Sequence, residues 1–191
     1  MPVQHVNRKG KTYYLHQGKT KSGNPKYFFS MKSEGTLSES IPEGYEIYEN
    51  PNAQIFLRRI QPQYILDSEK ALIEKYIGKI KSLFRYMIDI KGKIITIFES
   101  QEHVHFMKDL FEHFPFMKRI KTSDLVDKVA YYQPILRFIL EDEVIRKFRI
   151  ERYCFLGSVD DWIYLDSSDQ LESLAKKYIK HLGKESFYEL S

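Results

Sequence analysis

The chain has 191 residues, of which 42% are hydrophobic and 15% aromatic. This composition is sufficient for a packed core and excludes intrinsic disorder. The single cysteine excludes an internal disulfide and a zinc site built on several thiolates. The formal net charge of +4 is too small to indicate a nucleic-acid partner by itself.

The first predicted elements are two strands, over residues 12–17 and 26–31, in the segment KTYYLHQGKTKSGNPKYFFSMK. Glycine, asparagine and proline between them predict the turn of a hairpin. Residues 1–32 contain seven lysines and arginines and no acidic residue, whereas the remaining 159 residues contain 23 basic and 26 acidic side chains. The positive charge is therefore concentrated in the amino-terminal segment.

Strand alternation places aromatic residues on both faces of this hairpin, although a sheet with one buried face should alternate apolar and polar residues. The second face either packs on the rest of the protein or remains accessible. An accessible face would combine stacking rings with phosphate-neutralising lysines, as in platforms for single-stranded nucleic acid. The candidate contacts are Lys19, Lys21, Lys26, Tyr14, Tyr27 and Phe29. Alternatively, the lysines only discourage edge-to-edge aggregation.

Two further strands are predicted over 45–49 and 54–59, joined through Asn50-Pro51-Asn52, after a loop over 32–44. Residues 1–60 are therefore predicted to form a small basic β module. We expect it to contain one antiparallel sheet of three or four strands.

After a linker over 61–67, apolar residues with helical spacing predict a helix that Asp67 or Ser68 caps and that ends near residue 82. A hairpin then turns at Lys91-Gly92-Lys93. A second helix is predicted over about 101–114, and Pro115 ends it.

Three strands follow, in DKVAYYQPILRFILED, VIRKFRIERYCFLG and DWIYLD. A helix capped by Ser167 or Ser168 is predicted to end at Gly183, and SFYEL is predicted to form a last short strand. This order of elements predicts an α+β protein with mostly antiparallel sheets. The β module over 1–60 precedes a larger α+β domain over 61–191 with about three helices.

Three groups of side chains have the residue types of catalytic or metal sites: Asp89 with Glu99, His105 with Asp109 and His113, and Asp160 with Asp161. The first group has the Asp-x-Lys form of metal-dependent nucleases, which need several acids around one metal. The second is predicted on a solvated helix face, and the third in a solvated turn. We therefore assign no catalytic residue, no metal ligand and no cofactor.

The segments TYYLHQGKTKSGNPKYFFS, IPEGYEIYENPNAQIFLRR, ERYCFLGSVDDWIYL and HLGKESFYEL resemble a bacterial protein family of unknown function. The resemblance covers nearly the whole chain. It implies a soluble, stand-alone cellular protein and supplies no catalytic residues.

These observations predict a cytoplasmic, non-enzymatic binding protein whose basic aromatic hairpin engages nucleic acid or another polyanion. One alternative is a protein–protein interaction module that binds an acidic protein surface through the same residues. Another is a metal-dependent, nuclease-like enzyme that uses acids of the α+β domain. No run approaches the ~18 apolar residues of a membrane span, so we expect no membrane partner. The oligomeric state is not predicted.

Overall fold

The computed structural model describes residues 1–81, 85–101, 130–155 and 160–190. Among these residues the chain forms two compact units. The first contains Met1–Ile60 and Ala130, and the second contains the described residues of 61–101 and 131–190. No helix within the described ranges is long and apolar enough to cross a membrane.

Residues 1–60, all of them described, form two antiparallel sheets. The strands are β1 (Gln4–Val6), β2 (Thr12–Lys19), β3 (Pro25–Ser30), β4 (Tyr45–Glu49) and β5 (Ile55–Arg59). The first sheet has the order β1-β2-β3, and β4 pairs only with β5. The prediction of one sheet with three or four strands is therefore wrong, because β1 was not expected and the β4–β5 hairpin forms its own sheet.

Two asparagines fix the turns of this unit. The Asn7 carboxamide oxygen accepts hydrogen bonds from the backbone N–H groups of Lys9 and Lys11, at 3.1 and 2.8 Å, and so holds the β1–β2 turn. Asn50 accepts in the same way from Asn52 and Gln54, at 2.9 Å each, and closes the predicted β4–β5 turn. An asparagine side chain can thus replace the backbone partners that a turn lacks.

The second unit contains a five-stranded antiparallel sheet in which neighbours along the chain are neighbours in space. Its strands are β6 (Tyr86–Lys91), β7 (Ile94–Ser100), β8 (Tyr132–Asp142), β9 (Lys147–Phe155) and β10 (Asp160–Ser168). Alternate residues of the central strands, such as Leu136, Phe138 and Ile150, are fully buried on one face. The helices α1 (Asp67–Ile77) and α2 (Leu171–Tyr178) contribute to the same core.

The opposite face of this sheet carries polar and aromatic side chains. The Arg137 guanidinium lies 4.1 Å from the ring centroid of Trp162 and donates a hydrogen bond of 2.6 Å to Glu151. The Tyr153 ring meets Trp162 edge to face, with 5.1 Å between centroids. Trp162, the only tryptophan of the sequence, is therefore packed between Arg137 and Tyr153 on this face of the sheet.

Both described α-helices start and end differently from the prediction. The N-cap of α1 is Leu66, not Asp67 or Ser68, and its N–H donates to the Glu69 carboxylate at 2.8 Å. The helix ends at Ile77, before Gly78, instead of continuing to residue 82. The N-cap of α2 is Gln170 rather than a serine, because β10 extends through Ser168.

The carboxyl-terminal segment was predicted to be a strand and is not one. Glu185–Phe187 forms a 3₁₀ helix instead. The Phe187 ring is buried in the core from this helix, so the segment removes its apolar side chain from water without pairing with a sheet. The described residues contain two α-helices, compared with about three predicted. The predicted helix over 101–114, with Pro115 after it, lies outside the described residues except for Gln101.

Candidate nucleic-acid interface

The tip of the β2–β3 hairpin is closed by local hydrogen bonds. The Thr20 N–H donates to the Asn24 carbonyl at 2.8 Å, and the Gly23 N–H donates to the Thr20 carbonyl at 2.9 Å. The Asn24 N–H also donates to the Thr20 hydroxyl at 3.1 Å. Gly23 has a φ of +83°, a left-handed conformation that is accessible to glycine without a steric cost. The turn is therefore ordered without help from a bound ligand.

The three predicted lysines are exposed at this tip. Lys21 lies in the turn, whereas Lys19 and Lys26 lie at the ends of the two strands. Within the described part of the chain, no carboxylate oxygen lies within 4 Å of any of the three ammonium groups. Their positive charge is therefore available to a ligand.

The register of the hairpin separates the three predicted rings. Tyr14 lies opposite Ser30, whereas Phe29 lies opposite Leu15 and Tyr27 lies opposite Gln17. Residues directly opposite each other share a face, so Tyr27 and Phe29 lie on the face of the buried Leu15 and Tyr14 lies on the other. All three rings are half-buried. The expected shared platform of Tyr14, Tyr27 and Phe29 is not present.

The exposed ring of the hairpin is instead Phe28, which lies opposite His16 and which the sequence interpretation did not select. Its side chain is 44% exposed and stacks on the buried His16 ring, with 5.2 Å between centroids and 12° between planes. The Lys26 ammonium lies 5.7 Å from the Phe28 centroid. The His16 Nε2 donates to the Lys32 carbonyl at 2.9 Å, which fixes the ring beneath Phe28. A stacking surface and a cation with no carboxylate partner among the described residues therefore lie side by side.

Two other basic residues of the amino-terminal segment have structural partners. The Arg8 guanidinium lies 3.7 Å from the Glu49 carboxylate and donates to the Asn50 carbonyl at 2.6 Å. The Lys9 ammonium donates to the Ala130 carbonyl at 2.9 Å. Burial, followed by the nearby charges of Arg8 and Lys11, lowers the pKa of Lys9. Fewer positive charges of the amino-terminal segment are thus open to a ligand than the sequence suggests, and the lysines of the hairpin tip are among them.

A shallow hollow of about 380 Å³ lies beside the tip. Lys19 lines it together with Gly18 and Gly23, which expose backbone because they have no side chain. The hollow could accept a phosphate or a sugar next to the lysine without a rearrangement of the turn.

The acids proposed for a nuclease site do not converge. Asp89 lies opposite Thr96, and Glu99 lies opposite Tyr86, so the two carboxylates point to opposite faces of the sheet. Glu99 is 9% exposed, and burial raises its pKa, partly offset by a hydrogen bond from Tyr86. Asp89 lies 3.7 Å from the Lys91 ammonium. One metal ion could not contact both acids in this structure.

The other predicted acid and histidine groups form no site in the described residues. Asp160 and Asp161 are exposed at the start of β10 rather than in a turn. His105, Asp109 and His113 lie outside the described residues. The described ranges hold no group of three or more histidine, cysteine or acidic side chains that could bind a metal.

Comparisons with known proteins add no assignment. No protein-family model, no curated protein and no solved structure matches this chain significantly.

Proposed function

We propose that this chain is a non-enzymatic binding protein whose β2–β3 hairpin engages nucleic acid, in single-stranded form. The observation that carries the proposal is the exposed Phe28 ring, which lies beside the Lys26 ammonium and is supported from below by His16. Bases of any sequence can stack on such a ring. Lysines that have no carboxylate partner in the described ranges can then contact the phosphates on either side.

The arrangement of the three lysines fits an extended ligand. Lys26 and Phe28 share one face of the hairpin, and Lys19 lies opposite Pro25 on the other face. Lys21 lies in the turn between them. A strand that stacks a base on Phe28 can pass around the tip and meet the ammonium groups in succession. An acidic protein surface could satisfy the charges, but it would make no specific use of the ring.

Fluorescence anisotropy with a labelled single-stranded oligonucleotide, titrated against salt, tests the proposal. Reversing two charges in Lys19→Glu/Lys21→Glu should weaken binding by about tenfold or more, because each lost phosphate contact removes released counterions. The slope of log K against log salt should also become shallower by about 0.7 per lost contact. The melting temperature should remain nearly unchanged, because both side chains are exposed.

The matched control is Lys11→Glu/Lys32→Glu, which changes the net charge equally within the same amino-terminal segment but away from the tip. We expect this control to weaken binding much less than the tip variant. Equal losses in the two variants, or binding that does not depend on salt, would refute a site at the hairpin tip. Preferential binding of a protein that survives nuclease treatment and is lost in the tip variant would replace nucleic acid with an acidic protein surface.

A further inference from the structure

A cleft of about 460 Å³ lies in the second unit, between the carboxyl-terminal end of α1 and the segment that follows α2. Its volume is in the range of small-molecule sites, which is roughly 300–1,000 Å³. Five of the residues that line it are lysines: Lys79, Lys81, Lys176, Lys180 and Lys184. The cleft therefore combines a concave, partly open space with a high density of positive charge.

The floor of the cleft is apolar and rigid. Ile179 and Leu182 line it and are each 1% exposed, because they belong to the core of the second unit. The Tyr76 ring forms part of the wall, and its hydroxyl donates to the Glu172 carboxylate at 3.0 Å. These contacts fix the wall and the floor in the absence of a ligand, so a ligand need not pay for ordering them.

The five ammonium groups have no acidic partner within the described ranges. No carboxylate oxygen of the described residues lies within 4 Å of any of them. Of the three lysines of α1 and α2 that do not line the cleft, Lys177 lies 2.7 Å from Asp166 and Lys70 lies 3.7 Å from Glu74. Lys75 has no carboxylate oxygen within 4 Å among the described residues. The cleft therefore gathers five lysines that lack a carboxylate partner among the described residues.

Lysines in the last turn of a helix also complement the helix dipole, which explains Lys176 without a ligand. It does not explain why four further lysines, from both sides of the cleft, face the same space. Two of these lysines also act on His181: burial lowers the pKa of His181 first, and the charges of Lys180 and Lys184 lower it further. Like charges that line one cleft repel each other, and an anion bound between them offsets this repulsion.

We propose that this cleft binds a small molecule that carries two or more phosphate groups, such as a nucleoside diphosphate. A phosphate group carries about −1.5 to −2 charges at neutral pH, so five ammonium groups match at least two phosphates. Lysine binds phosphate as a point charge that adjusts its position on a flexible stem. The apolar floor gives an organic part of the ligand a surface to contact. The inference does not depend on the hairpin, because all the residues that line the cleft belong to the second unit.

Isothermal titration calorimetry with ADP, pyrophosphate and adenosine tests this inference. ADP should bind with a Kd below about 1 mM at low salt, and adenosine should bind at least about tenfold more weakly. Tighter binding of ADP than of pyrophosphate identifies a nucleotide as the ligand class. Equal binding identifies inorganic polyphosphate, and both results support a site for phosphate groups.

The variant Lys176→Gln/Lys180→Gln removes two of the five charges at exposed positions and should weaken ADP or pyrophosphate binding by about tenfold or more. The matched control Lys70→Gln/Lys75→Gln removes two exposed lysines of α1 that do not line the cleft, and should bind as the wild type does. The inference is overturned if neither phosphate compound binds, if adenosine binds as well as ADP, or if the two variants behave alike. Oligonucleotide binding should be unaffected by the cleft variant, and an equal loss there would also overturn it.

Discussion

The hairpin tip and the lysine-lined cleft both present ammonium groups that have no acidic partner in the part of the chain that the structure describes, but they are supported in different ways. The hairpin tip is held by hydrogen bonds among Thr20, Gly23 and Asn24, which are close in sequence. The cleft is built on residues near the ends of two helices that are about 100 positions apart along the chain, and its floor is part of the core. A local turn can keep its shape when the core is weakened, whereas the cleft cannot.

The two sites also differ in the shape they offer to an anion. The hairpin presents an exposed ring with lysines around an open turn, which suits an extended chain of phosphates. The cleft places its lysines around an apolar floor in a concave space, which suits a compact molecule. We therefore propose different classes of ligand for the two groups of lysines, because their surroundings differ.

Leu174→Ala should have the largest effect and should separate the two sites. Leu174 is 1% exposed on α2, and its truncation should lower the free energy of unfolding by about 2–5 kcal/mol. Urea unfolding followed by tryptophan fluorescence measures this loss, because Trp162, the only tryptophan, lies in the second unit. The Leu174→Met control conserves volume and should cost less than about 1.5 kcal/mol. A similar loss in both variants would contradict a packing role.

Phe28→Ala should have an intermediate effect, on binding alone. Removing the ring should weaken oligonucleotide binding by about 1–3 kcal/mol, the usual contribution of one stacked base. Stability should change by no more than about 0.5 kcal/mol, since the side chain is 44% exposed. Anisotropy titrations measure the first quantity and thermal unfolding the second. Phe28→Tyr keeps a ring and should bind as the wild type does. Full affinity in Phe28→Ala would remove stacking from the proposal, and a loss of ADP binding would contradict the separation of the two sites.

Glu99→Gln should have the smallest effect, visible as a change in pH dependence. Because burial raises the pKa of Glu99, the unfolded chain ionises this carboxyl at a lower pH than the folded one. The wild-type protein should therefore lose stability as pH rises from about 4.5, the ordinary value, through the raised pKa. Glutamine stays neutral, so the variant should be relatively more stable above that range and not below it. Urea unfolding at several pH values measures the difference, and a difference that is independent of pH would contradict the assignment.

Local signals in the sequence were sufficient to predict most of the strands. The hairpins that turn after Lys19, Glu49 and Lys91 are flanked by apolar and aromatic runs, and glycine or asparagine marks their turns. Helix ends were less predictable, because any of several polar residues near Leu66 could have been the cap. Leu66 is the cap because its N–H donates a hydrogen bond to the Glu69 carboxylate.

The candidate site was predicted less well than the fold, because it depends on register. The alternation of side chains between the two faces was predicted correctly within β2 and within β3. The prediction shifted one strand by one residue relative to the other, so it assigned the wrong faces of the two strands to each other. The five-residue turn over 20–24 puts even-numbered residues opposite even-numbered ones, which brings Phe28 rather than Tyr27 or Phe29 to the side of His16. A shift of one residue exchanges the two faces of a strand.

The sequence contains an indication of the cleft that the net charge of the larger domain does not show. The segments KYIGKIK over 75–81 and KKYIKHLGK over 176–184 contain seven lysines and no acid. The acids elsewhere in residues 61–191 cancel this charge in any total over the larger domain. Only the packing of α1 near α2 shows that lysines from the two segments meet around one space.

The strand order of the second unit has a consequence for how the chain folds. Neighbouring strands pair throughout, but 31 residues separate β7 from β8, so this pairing closes a far longer loop than the hairpin of β6 and β7. Closing a longer loop costs more chain entropy before any contact is gained, so β7 and β8 should join late. The two halves of the cleft lie on either side of that junction in the sequence. We therefore expect a phosphate compound to bind the cleft during refolding only after the whole second unit has assembled. Binding of such a ligand would then report the complete folding of that unit.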